Sequence, residues 1–385
     1  MIKILTAHTL KIDEVDAAVA ELLEQLDLEN SLLKNAVGIL AFHPEFLDSG
    51  VLEAVGESLP FATAGYTTPG IAVGSVFGDM MFTVAVLTSD DIVFTAGISV
   101  PISGDPTGPV RELYSRVAPP EMGKPALLLA FAPFLENVGG DDFVALLDSV
   151  SGGAPIFGSL AFTHLTDFSS IETCVNGHCG ANVLALVALF GEVNPRFHIT
   201  DLPGEQEICQ RAVITQAEKN RIRRINDRSP IAYLESIGLA ENGGISAGIA
   251  SFPFLLTLSD GSRIARCACK ATEEGHIVLC GNIPDGVKVG FSDVDADFVT
   301  QSMEKIIARI AADADAESAL IFSCTSRKWT LASAPDWEMK KIARVIGNSL
   351  SYQFAYSGGE ICPVKNRECQ WINRFHNFSV TACLL

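Results

Sequence analysis

Short apolar runs recur along this chain and alternate with segments of helical period. Ile39-Leu40-Ala41-Phe42-His43-Pro44 resembles Leu128-Leu129-Ala130-Phe131-Ala132-Pro133, and both resemble Ile321-Phe322-Ser323-Cys324-Thr325-Ser326. Each run precedes a helix-period segment, near 49–59, 142–151 and 336–350. A short strand carrying Gly or small residues follows, near 62–65, 156–158 and 353–359, and then an apolar strand, near 79–87, 181–190 and 377–384. Upstream of each lies a further strand and helix, near 2–26, 92–117 and 287–311. The pattern predicts an α/β fold of mixed sheets layered with helices, built from three β-α-β-α-β-β-β-like repeats. The turns Gly78-Asp79 and His376-Asn377 predict antiparallel pairing of the last two strands of a repeat.

Residues 196–286 do not follow this pattern and read as an insertion before the third repeat. Short strands are expected near 212–215, 254–258, 263–270 and 276–280, and a helix beginning at Pro230, a residue suited to the first helical turn. The expected division is 1–195, holding two repeats, and 196–385, holding the insertion and the third.

Composition narrows the class. Hydrophobic residues form 48 % of the 385 and charged residues 19 %, with a mean hydropathy of +0.30, which describes a core-rich globular chain. No apolar run approaches the roughly 20 residues of a membrane-spanning helix. The start, Met1-Ile2-Lys3-Ile4-Leu5 followed by Lys11, Asp13 and Glu14, does not read as a signal peptide, so a cytoplasmic protein is expected. A net charge of −19 argues against nucleic acid and anionic membrane as partners. The basic run 219–228 reads as a solvated hairpin. Ten cysteines without a secretory signal predict free thiols, and neither Cys174/Cys179 with His178 nor Cys267/Cys269 has the paired spacing of structural zinc. We therefore expect no disulfide and no metal site.

Gly139-Gly140-Asp141-Asp142-Phe143 looks like the GGD(D/E)F loop of enzymes that make cyclic dinucleotides, but it leads into a helical pattern, with Asp141 or Asp142 expected as N-cap. The densest polar chemistry lies in the last seventy residues. Cys324 and Arg327 follow one apolar strand, Tyr356 and Glu360 follow another, and His376-Asn377 precede the last. Strand ends of α/β sheets commonly hold ligands. No catalytic set is assigned, because no Ser or Cys has a His at local motif spacing.

The same residues resemble the C-terminal half of FIST-domain proteins. Its motifs read here as Phe322-Ser323-Cys324-Thr325-Ser326-Arg327, a helix containing Glu338, Tyr356-Ser357-Gly358-Gly359-Glu360-Ile361, and Phe375-His376-Asn377. In the N-terminal half, Gly65-Tyr66-Thr67-Thr68-Pro69-Gly70 is similar to the family's G-x-T-x-x-G-E, with Ile71 in place of the Glu, and Phe157-Gly158-Ser159-Leu160-Ala161 fits a second segment. The resemblance implies a sensory module that binds a small molecule and, with the FIST region filling the chain, signals through a partner protein. An amino-acid-like ligand suits the residues best, with Arg327 clamping an anion, Glu360 accepting from an amine, His376 and Asn377 adding hydrogen bonds, and Tyr356 and Cys324 as walls. No cofactor is assigned; haem, held by His376 or Cys324, is the alternative that the family suggests, and a Cys324 nucleophile with His376 as base is a weaker one.

Overall fold

The computed structural model describes residues 2–163, 170–200, 202, 207–259, 261–313, 315–347, 349–366 and 368–385. Three six-stranded sheets dominate it. The first has the order Lys3–Thr9, Phe82–Ser89, Asn35–Phe42, Thr63–Thr67, Thr173–Val175, His178–Gly180. The second runs Val93–Ile98, Ala185–Phe190, Leu127–Ala132, Ile156–Leu160, Glu360–Lys365, Trp371–His376, and the third Arg196–Ile199, Val380–Leu384, Ser318–Cys324, Ser351–Ser357, Ile71–Val73, Val76–Gly78. In all three, only the third and fourth strands are parallel. A parallel pair needs a crossover, and helices Val51–Ser58 and Gly140–Ser151 supply it in the first two sheets. In the third, the short helix Thr325–Thr330 and helix Trp337–Ile346 do so.

The last two strands of each sheet form a hairpin that comes from a different stretch of chain. The hairpin Ile71–Gly78, which follows the first sheet's parallel pair, completes the third sheet. The hairpin Thr173–Gly180 completes the first, and the hairpin Glu360–His376 completes the second. Donation therefore runs in a closed cycle. It corrects the expected pairing across Gly78-Asp79 and His376-Asn377: these turns carry the chain from one sheet to another, and each stretch has one strand more than the pattern suggested.

Pairing register gives a direct equivalence among the sheets. One row crosses the first sheet at His8–Thr83–Ala41–Tyr66–Thr173–Gly180. The corresponding rows are Ile98–Ala185–Phe131–Ser159–Glu360–His376 and Ile199–Thr381–Phe322–Ala355–Ile71–Gly78. Ala41, Phe131 and Phe322 thus occupy matching positions, whereas the sequence pattern aligned Phe42, Phe131 and Cys324. The difference is a slip of one residue in the first sheet and two in the third, enough to exchange faces in the first.

The inner faces of the sheets meet in one core. Tyr66 stacks on Phe131 at 4.7 Å between ring centres, and Phe322 lies edge-on to Tyr66 at 5.9 Å. Such pairs add about 0.5–1.5 kcal/mol beyond area burial. Helices cover the outer faces: Ala18, Leu22, Leu52 and Val55 pack over the first sheet, and Met303, Ile306, Met339 and Ile342 over the third. Covered on both faces, Leu127–Ala132 is buried throughout, which accounts for its continuous apolar run.

The irregular segment forms a seven-stranded sheet in the order Arg263–Arg266, Phe254–Thr257, Val287–Ser292, Glu207–Glu218, Arg221–Ile225, Ile277–Leu279, Ala268–Ala271. It has its own core around Ile214, Ile222, Leu234, Phe254 and Phe291. Val287–Ser292 lies inside this sheet instead of opening the third repeat; Arg196–Ile199 takes that place, so the insertion falls after the repeat's first strand. The apolar alternation of Val287–Ser292 reads the same in either sheet. The basic run forms the turn and second strand of the hairpin between Glu207–Glu218 and Arg221–Ile225.

Gly139-Gly140-Asp141-Asp142 begins helix Gly140–Ser151, and the N-cap is Gly139, not an aspartate: its N–H donates to Asp142 Oδ2 at 3.0 Å. Nine cysteines are free thiols, and the side chain of Cys209 lies outside the described residues. Among the described residues no helix is long and apolar enough to cross a membrane.

Candidate ligand-binding site

The strand Ser318–Cys324 ends where Cys324 turns, with φ −60° and ψ 132°, into the helix Thr325–Thr330. That helix swings Arg327 back toward the helical layer. The guanidinium is fully buried and pairs with Glu338, also fully buried, through Nη2 at 2.7 Å and Nε at 3.1 Å, both on Oε1. Nη2 also donates to Val299 O at 3.1 Å and Ser302 Oγ at 3.0 Å, and Ser323 Oγ donates to Glu338 Oε2 at 2.9 Å. Nη1 is buried with no partner. Arg327 therefore pairs with Glu338 and not with Glu360. Tyr356 lies on the same side, in the cluster with Met339 and Ile342, and its hydroxyl approaches Pro335 O at 3.4 Å. Burial, then the Glu338 charge, pushes its phenol far up.

Glu360 belongs to a second group. The segment Ser357-Gly358-Gly359-Glu360 carries the chain from the third sheet to the second. At Gly359 φ is +154°, and a Cβ would lie 2.2 Å from the Phe375 ring and 2.5 Å from Asn377 Nδ2, so only glycine lets the crossing close. Glu360 is fully buried. Ser357 Oγ donates to Oε1 at 2.5 Å and Ser379 Oγ to Oε2 at 2.6 Å. Among the described residues no cation pairs with it, and burial, reinforced by Cys324, raises its carboxyl well above the ordinary range. Ser159 stands directly opposite in the ladder, and its hydroxyl is buried and unpartnered. Asn377 donates Nδ2 to Gly358 O at 3.1 Å, while its Oδ1 is buried and unpartnered.

His376 faces Glu360 across the hairpin. Its Nε2 lies 3.1 Å from Cys362 O, and burial lowers its pKa to about 3, so the ring is neutral at physiological pH. Cys324 packs among Leu255, Ala265, Cys267, Leu331 and Phe378. Burial pushes its thiol up, and the neighbour that adds to the rise is Cys267, not His376. This does not fit the demands of haem: His376 commits Nε2 to a carbonyl, and Cys324 is held as a thiol within packed side chains. A nucleophile–base pair needs the two groups in hydrogen-bond reach, and their partners here are different ones.

The structure thus sets Glu360 in one ladder row with Ser159 and His376, holds Asn377 against Gly358 of the crossing segment and Cys324 in an apolar cluster, and places Arg327 and Tyr356 with Glu338. Several polar residues at this junction escaped the sequence reading. Ser379 is a short hydroxyl with no local signature, and Ser357 and Ser159, though inside the family-like segments, carry nothing that marks them as neighbours of Glu360. Arg266, buried in the inserted sheet, donates Nη2 to Asp141 at 2.7 and 2.9 Å and lies 5.5 Å from the Phe375 ring centre. Asn282 N donates to Asp141 Oδ2 at 2.7 Å, and Asn282 Nδ2 to Asp142 Oδ1 at 2.8 Å. The acidic pair of the Gly139–Phe143 motif therefore fastens the insertion to the second sheet's helix.

Comparison with known proteins bears on the whole chain. Residues 36–228 match the FIST N domain and residues 232–363 the FIST C domain. No curated protein sequence matches it. Among solved structures, the crystal structure of cyanuric acid hydrolase from A. caulinodans aligns at 10 % identity and a TM-score of 0.28, covering 50 % of this chain and 71 % of that one. The two domain matches span most of the sequence, so the chain belongs to the FIST family, whose domains are sensory, small-ligand-binding parts of signalling proteins.

Proposed function

We propose that this protein is a sensor that takes up a small polar, amino-acid-like molecule beside Glu360 and reports it to a partner protein. One observation carries the reading: Glu360 is a fully buried carboxyl with no counter-ion among the described residues, directly opposite Ser159, whose Oγ is buried and unpartnered, and Asn377, with its own unpartnered Oδ1, follows on the paired strand. A lone buried carboxyl is costly, as are unsatisfied polar atoms beside it. An ammonium group between Glu360 and Ser159 satisfies both at once. Glu360 and Asn377 Oδ1 accept from the amine, His376 contributes a directional hydrogen bond, and Cys324 forms a wall. Arg327 and Tyr356, turned toward Glu338, are left out of this site.

Native mass spectrometry of the purified protein tests for a bound molecule, and titration calorimetry with the molecule found then compares the wild type with Glu360→Gln and Asn377→Ala. The expected loss of affinity is about tenfold or more for Glu360→Gln, since a charge-assisted hydrogen bond becomes a neutral one. Equal affinity in wild type and Glu360→Gln overturns the assignment.

A further inference from the structure

A cavity of about 580 Å³ opens where the hairpin Glu360–His376, the strand Arg196–Ile199 and the loop after helix Gly140–Ser151 meet. Its size is that of small-molecule sites, which favour such junctions. Its walls are aromatic and stiff. Trp371 is 56 % exposed, and its ring lies edge-on to Phe197 at 6.0 Å. Pro155, Pro195 and Pro363 complete the lining. Proline has no N–H and a fixed φ, so these walls are preformed and offer no donor.

Asp148, Asn194, Arg196 and Asn373 are the polar side chains of the lining. Asn373 donates to Asp148 Oδ1 at 2.6 Å and to Ala154 O at 2.9 Å, and accepts from Ile156 N at 2.8 Å, so its amide is fully used, while Asp148 keeps its charge. Arg196 is different. Its Nη1 lies 3.6 Å from Asp313 Oδ1, an ion-pair distance too long for a hydrogen bond, and the other oxygen of Asp313 is held by His198 Nε2 at 2.5 Å. Arg196 therefore brings unspent donors to an aromatic slot. Lys365 lies over the Trp371 ring, 5.4 Å from its centre, outside the lining itself.

We propose that this cavity binds a small planar aromatic molecule carrying a carboxylate or phosphate, its ring against Trp371 and Phe197 and its anion on Arg196. The guanidinium fork matches both anions. This site is separate from the one at Glu360 and selects the opposite charge, so either can fail without the other.

Calorimetry with naphthoate as probe, and naphthylmethanol as its uncharged counterpart, tests the proposal on the wild type, Trp371→Ala and Arg196→Gln. Saturable binding of naphthoate is expected, weakening with added salt, and each substitution reduces affinity by about tenfold. Arg196→Gln also erases the preference for naphthoate over the alcohol. Trp371→Leu replaces the alanine variant if that one fails to fold. The proposal is overturned if the wild type shows no saturable binding, if it binds the alcohol as well as the acid, or if folded variants of Trp371 and Arg196 bind like the wild type.

Discussion

Ser159 and Glu360 face each other across the antiparallel ladder that joins the second parallel pair to the last hairpin of the chain, one hydroxyl unpartnered and one carboxyl without a counter-ion. The matching positions in the other two sheets hold Tyr66 with Thr173 and Ala355 with Ile71. A pair with an ionisable carboxyl therefore stands where the matching pairs carry none.

The raised pKa of Glu360 makes stability depend on pH. The native state holds this proton more tightly than the unfolded chain, so the neutral carboxyl contributes most below the unfolded value. That contribution is lost as pH climbs from about 4.5 through the higher folded value. Glu360→Gln, a neutral isostere, should lack this loss. Urea melts across the range are expected to show the variant gaining on the wild type as pH rises, and parallel curves would contradict a buried neutral carboxyl.

His376 works in the opposite sense. Its folded pKa of about 3 lies below the ordinary 6.5, so the unfolded chain binds the proton more tightly between these values. Stability should fall as pH drops from 6.5 toward 3. His376→Asn, which cannot charge, is expected to flatten that acid limb in thermal melts recorded at successive pH values. A limb of unchanged slope would place the titration elsewhere.

Arg327→Ala leaves Glu338 buried and unpaired, a change worth about 3–5 kcal/mol of stability. Exchanging both partners together, as Arg327→Met with Glu338→Leu, should cost much less than the sum of the single changes. Chemical denaturation of the four proteins in this cycle measures the coupling. Additive losses would show that the two residues act independently.

Gly158→Ala should be among the most damaging small substitutions in the protein. At φ +155°, a Cβ would lie 1.9 Å from Ala130 O, inside the parallel pair that carries Ser159. A loss of about 4 kcal/mol or more is expected, read as a lowered melting temperature or insoluble expression. Wild-type stability in this variant would mean that the strands can part without cost.

Much of the fold was legible because burial on both faces writes itself as continuous apolar runs, as in Leu127–Ala132, and crossover helices show their period. The polar residues Cys324, Glu360, His376 and Asn377 stood out as strand-end clusters, and Glu338 was visible within its family motif. What the pattern could not show was which strand pairs with which. Ile71–Val73 and Glu360–Lys365 have the same apolar character whether they fold back locally or cross to another sheet. Arg327 was expected in one site with Glu360 for the same reason: proximity across sheets is a product of topology, and the helix turn after Cys324 turns the guanidinium to Glu338 instead.

The cyclic donation of hairpins has a consequence for assembly. The second sheet stays two strands short until the hairpin Glu360–His376, from the end of the sequence, takes its place, and the third depends on Ile71–Gly78, near the beginning. Contacts so distant along the chain raise contact order and slow folding, because long loops must close before any pairing rewards them. They also interlock the three sheets. Unzipping one donated hairpin strips an edge from its host and frees its donor, so the sheets are expected to melt in a single cooperative transition, and the FIST N and FIST C regions expressed separately should each expose unpaired strand edges and aggregate.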